Sequence, residues 1–177
     1  MKRFPKDARV CFLGDSITDK TNGGTYSDLH YSWGVKDHYV SVLFWAQAGP
    51  SDHDDYRSVT INLNTGKAME DRSVIELFGL TDKDEYMKQV MDRMGTEYLE
   101  QFKDIEIDDF VIMGLELTCE FNHVYQARPV IGADGTLYIA APLGSPAGSG
   151  IDWHVFPFKG AVSDLYKNMY DQYIKVH

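Results

Sequence analysis

The sequence is short of cysteine, of cations and of long apolar runs, and each shortage excludes something. Its two cysteines, Cys11 and Cys119, stand far apart and form no C-x-x-C pair. A zinc site built on cysteine ligands is therefore excluded, while a buried free thiol and a single disulfide both stay open. No apolar run approaches the roughly 20 residues that a membrane-crossing helix needs. The longest, around Val40 to Ala46, has strand length and is interrupted by Ser41. The start does not read as a signal peptide, because Lys2 and Arg3 lead into Phe4, Pro5, Lys6 and Asp7 instead of an apolar stretch. The expectation is a soluble piece, either a cytosolic protein or a segment separated from an export signal or anchor.

Cations are the third shortage. Seventeen Lys and Arg face 27 Asp and Glu, for a net charge of −10 over 177 residues. The imbalance is uneven. Residues 1–9 hold four cations against Asp7, which leaves −13 for residues 10–177. A body of that sign repels phosphate backbones, so nucleic acid is not an expected partner, whereas a basic protein is electrostatically compatible.

What is present suits an ordinary core: 44% of residues are apolar and 13% aromatic. That composition and the length point to one compact domain over residues 26–177, preceded by an N-terminal strand and polar loop in residues 1–25. Arg9 to Leu13 reads as a short strand, Tyr26 to Trp33 half alternates, and Tyr39 to Ala46 is strand-like. In the next strand, Tyr56 to Leu63, the pattern sets Val59, Ile61 and Leu63 on one face and Ser58, Thr60 and Asn62 on the other. Asn64-Thr65-Gly66-Lys67 then reads as a tight turn.

The middle reads as helical. Ser73 and Glu76 have capping-box spacing before a helix ended by Gly79. A second helix is expected from about residue 82 to 103, with Asp82, Asp84 and Glu85 in its first turn. Met87, Val90, Met91, Met94, Tyr98 and Phe102 line one face of it, and a packed face is favoured over a methionine-rich groove. Gly95 reads as a mild flaw in that helix. Phe110 to Met113, Leu115 to Phe121 and Val124 to Ile131 read as β-rich. Ala133-Asp134-Gly135 reads as a hairpin turn into Thr136 to Ala141, and Leu143 to Gly150 as a small-residue loop. A strand at Ile151 to Phe158 and a helix with Val162, Leu165, Tyr166, Met169, Tyr170 and Tyr173 on its apolar face complete the chain. With no regular βαβ alternation, the expected class is α+β: a largely antiparallel sheet packed on helices, in the order strands, two helices, strands, helix.

Two strings carry resemblances. Val10-Cys11-Phe12-Leu13-Gly14-Asp15-Ser16 resembles the first block of the SGNH, or GDSL-type, hydrolases. That block sets a serine on a turn beyond a strand, beside backbone N–H groups fit for an oxyanion hole. The resemblance implies Ser16 as nucleophile of an esterase, with His154 as candidate base and Asp152 as its orienter. The family's closing Asp-x-x-His block is one residue short here, at Asp152-Trp153-His154, and its glycine and Gly-x-Asn-Asp blocks have no counterpart.

The other resemblance spans about residues 26–158. Tyr39-Val40-Ser41-Val42-Leu43-Phe44, the turn Leu63-Asn64-Thr65-Gly66-Lys67, Ile75-Glu76-Leu77-Phe78, a long helix, and Leu137 to Pro142 before Ala147-Gly148-Ser149 follow one another in a familiar order. That order is similar to the extracellular domain of RsiV-type anti-sigma factors and of some peptidoglycan deacetylases. It implies a non-catalytic sensing or binding module on the outside of a bacterium, with a basic protein such as lysozyme, or a cell-wall component, as ligand. The resemblance implies no catalytic residue and no cofactor. A structural domain with no ligand of its own is the plainer alternative.

Metal has one weak candidate. Asp52, Asp54 and Asp55 gather carboxylates around His53 but lack the ligand spacing of a calcium loop, so a solvated acidic loop is favoured. The aromatics Tyr26, Tyr31, Trp33, Trp45 and Trp153 are candidates for stacking on sugar rings or peptide faces.

Overall fold

The computed structural model describes residues 28–47, 55–145 and 150–175. Four strands open it: β1 (Asp28–Lys36), β2 (Tyr39–Gln47), β3 (Asp55–Asn62) and β4 (Lys67–Met69). Each pairs antiparallel with the next, so spatial order follows chain order. Asp37, at φ 53°, turns β1 into β2, and Gly66, at φ 69°, turns β3 into β4. Helices α1 (Asp71–Glu76), α2 (Lys83–Glu100), α3 (Asp109–Cys119) and α4 (Phe121–Gln126) follow. A second antiparallel sheet is built from β5 (Arg128–Ile131), β6 (Leu137–Gly144) and β7 (Ile151–Pro157). The last described element is α5 (Asp164–Met169), which runs on into a π-helical turn at Tyr170–Ile174. The class is α+β, with two antiparallel sheets.

α2 is the spine of the main core. Asp82 caps it by accepting from the Asp84 and Glu85 N–H groups, at 2.9 and 3.0 Å. Its predicted stripe faces inward: Val90, Met94 and Tyr98 are fully buried, and Met87, Met91 and Phe102 pack at the margin. The methionines are therefore core. On the other side of that core β6 contributes Ile139, Ala141 and Leu143, and α5 contributes Tyr166 and Met169.

Several local expectations are overturned. The stretch from Phe110 to Gln126, expected to be β-rich, forms helices α3 and α4. Asp108 caps α3 through the Val111 N–H at 3.0 Å, and Val111, Gly114, Leu115, Thr118 and Cys119 recur at helical spacing on its buried face. The capping box at Ser73 is not used: the N-cap falls three residues earlier, at Glu70, and α1 begins at Asp71. In β3 the polar Thr60 is buried while Val59 and Ile61 are half-buried, and Leu63, just past the strand, is exposed. Thr60 lies in register with Ser41, and their hydroxyls hydrogen-bond, which satisfies both away from water. Leu143 and Gly144, expected in a loop, extend β6.

Gly95 is no flaw. A Cβ there would lie 2.0 Å from Cε2 of Tyr166, so the missing side chain is the seat of a buried ring from α5. Glycine to alanine in a helix interior normally stabilises by about 1 kcal/mol. Gly95→Ala is predicted to destabilise instead, by about 1–3 kcal/mol of overpacking, read as a lower urea midpoint.

Burial also fixes how the fold responds to alkali. It pushes the Cys119 thiol and, with the Asp108 charge as a second cause, the Tyr98 phenol up to about 12. The Tyr86 and Tyr166 phenols are raised too, burial being the largest cause for each. The folded chain therefore keeps protons that the unfolded chain releases from about pH 9.0 for the thiol and 10.0 for the phenols. Their contribution is complete below those values and is lost progressively as pH rises from them through the folded values, about 12 for Cys119 and Tyr98. The prediction is a fall in urea midpoint that begins near pH 9 and continues to about pH 12, with tyrosinate absorbance from these phenols appearing only as the chain unfolds.

Candidate functional site

Helix α3 is apolar on both sides, and the fold uses only one of them. Tyr98 of α2 donates its hydroxyl to the Val111 carbonyl at 3.0 Å and fills the space that a side chain at Gly114 would need. The Thr118 hydroxyl donates to the Gly114 carbonyl at 2.7 Å and accepts from the Gly144 N–H at 2.8 Å, tying α3 to β6. Position 118 thus serves both the helix and the sheet beneath it.

The opposite side stays in water. Phe110 is 61% exposed and Met113 58% exposed, at i and i+3 on α3, with Ile105 at 62% just before the helix and Phe121 at 73% just after it. Solvated α-helices normally place polar residues outward, so four large exposed apolar side chains within seventeen residues are the departure to explain. Phe121 stacks on Tyr125, one turn further along α4, with ring centroids 5.9 Å apart. Below them His123 is buried, its Nδ1–H donating to the Leu117 carbonyl, which sets α4 against the end of α3.

Carboxylates crowd the same stretch of chain. Between Glu100 and Glu120 the chain has seven carboxylates and the single cation Lys103. Lys103 pairs with Glu100 at 2.7 Å. Among the described residues, Asp104, Glu106, Asp109, Glu116 and Glu120 have no cation within ion-pair distance. Residues 100–121 thus combine a strip of exposed apolar side chains with carboxylates that lack cation partners among the described residues, a combination complementary to a partner with exposed apolar groups and Lys or Arg around them.

The aromatic candidates separate into two groups. Trp45 and Trp153 belong to a row of stacked rings that joins the sheets: His30 to Trp45 at 5.5 Å, Trp45 to Tyr56 at 6.1 Å and Tyr56 to Trp153 at 5.3 Å between centroids. The first three stand opposite one another across β1, β2 and β3, and Trp153 joins from β7. With Leu43, Val130 and Ala140, the rings of Trp45, Tyr56 and Trp153 form a second small core and so pack against protein. Tyr31 and Trp33 project from the other side of β1 and are 67% and 50% exposed. Tyr26 lies outside the described residues.

Of the esterase residues, Ser16 lies outside the described residues. Asp152 and His154 stand two apart on β7, in register with Leu143 and Ala141 of β6, and so share one side of the strand. No hydrogen bond joins them. Cys119 is a free, buried thiol on α3, and Cys11 lies outside the described residues. Asp52, His53 and Asp54 also lie outside them, while Asp55 opens β3. Among the described residues no three His, Cys, Asp or Glu side chains gather as metal ligands would. No described helix is long and apolar enough to cross a membrane. Comparison with protein-family models, with curated proteins and with solved structures finds no match.

Sequence reasoning missed the α3 surface because it assigned that stretch to strands. The signal was there: carboxylates crowd between Glu100 and Glu120 while Phe110 and Met113 sit on the side of the helix away from Val111 and Leu115.

Proposed function

We propose that the chain is a non-catalytic binding module that receives a basic protein on the outer side of α3. The observation that supports this is the exposed strip of Ile105, Phe110, Met113 and Phe121 amid carboxylates that lack cation partners among the described residues. Long-range attraction to those carboxylates would speed encounter, and desolvation of the apolar strip would hold the complex. The resemblance to the RsiV-type extracellular domain supplies the setting, the outer surface of a bacterium, and lysozyme as the basic protein to try first.

The test is calorimetric titration with hen egg-white lysozyme at about 50 and about 500 mM salt, where the screening length falls from more than 10 Å to less than 8 Å. Binding is predicted at low salt and a weakening of at least about tenfold at high salt. The double variant Phe110→Ser/Met113→Ser is predicted to lose about tenfold or more in affinity, with an unchanged urea midpoint because both side chains are exposed. No binding of either lysozyme or cytochrome c at low salt would contradict the proposal.

A further inference from the structure

A cavity of about 670 Å³ opens between α2, the tip of the β1–β2 hairpin, the start of β6 and the segment after β7. Its size is that of a small-molecule site. Phe78, Leu80 and Phe158 give it apolar walls, and Lys36, Arg93 and Lys159 bring three cations to it. Three cations in one cavity are conspicuous in a chain with a net charge of −10. The carboxylate that lines it, Asp92, is already engaged by Lys88 at 2.7 Å.

Arg93 is the unusual member. It is 9% exposed, and the backbone of Gly160 lies so close that an added Cβ would sit 2.9 Å from the guanidinium carbon. Its Nη1 donates to the Ala161 carbonyl at 3.0 Å, and its Nη2 stands 3.5 Å from a Glu97 oxygen. Its Nε–H is buried and has no hydrogen-bond partner among the described residues. A buried donor left unpaired costs free energy, and a bound acceptor removes that cost. The Nε–Nη2 edge of a guanidinium is a planar fork that matches the two oxygens of a carboxylate. Neither Lys36 nor Lys159 has a carboxylate partner among the described residues. Lys36 lies over the Phe78 ring, 5.1 Å from its centroid, at the cavity wall.

From this we infer a binding site for a small organic carboxylate: Arg93 takes the carboxylate, Lys36 and Lys159 add positive field, and Phe78, Leu80 and Phe158 cover an apolar body. The site shares no residue with the α3 surface and does not depend on it.

The probe is benzoate, titrated into the full chain by calorimetry beside its neutral isostere benzamide. Benzoate is expected to bind at least about tenfold tighter than benzamide. Arg93→Lys keeps a charge but loses the fork, and is expected to weaken benzoate about tenfold. Because Arg93 also ties down Ala161, the near-surface double variant Lys36→Gln/Lys159→Gln provides a second reading, with an expected loss of several-fold and an unchanged urea midpoint. Equal affinity for benzoate and benzamide, no benzoate binding up to about 10 mM, or full benzoate affinity in the double lysine variant would each overturn the inference.

Discussion

The Tyr98 ring occupies the space that any side chain at Gly114 would fill, and its hydroxyl donates to the Val111 carbonyl. Through that contact α2 seats α3. Gly114 is also where α3 meets β6, because a Cβ at Gly144 would lie 2.4 Å from the Gly114 carbonyl oxygen. The Thr118 hydroxyl completes the join by bonding both glycines. Close approach of this kind works only where side chains are missing, and in a densely packed interior it leaves little room for α3 to turn about its axis. So the side holding Val111, Leu115 and Cys119 is committed to the core, and Phe110 and Met113 are held in water. The exposed apolar strip is a consequence of how the core is built.

Charge then separates two surfaces. Around α3 the carboxylates gather almost without cations, while the cavity beside Arg93 gathers Lys36, Arg93 and Lys159. An average over the chain hides both. Net charge speaks to solubility and encounter; which groups stand together decides what can be recognised.

Much of the fold was legible in the sequence where a pattern was local and periodic. α2 was readable from its inward stripe and its acidic first turn, and the hairpin turn at Gly135 from its Asp-Gly pair. α3 was not, because Phe110, Val111, Ile112, Thr118 and Cys119 favour strands and its apolar residues fall on both sides, which blurs the helical period. The use of Gly95 could not be read either, since propensity knows nothing of Tyr166 arriving from α5. The burial of Thr60 could not be read for the same kind of reason: its partner Ser41 is on another strand. The Arg93 cavity draws on β1, α2 and the segment after β7, so no stretch of sequence displays it.

Hydrogen–deuterium exchange of the full chain, alone and with lysozyme at low salt, tests the central claim most directly. The account predicts slowed amide exchange in peptides covering residues 104–121, where Ile105, Phe110, Met113 and Phe121 stand exposed, and unchanged exchange over β1 to β4. Protection confined to the four-stranded sheet, or none between residues 104 and 121, would contradict it.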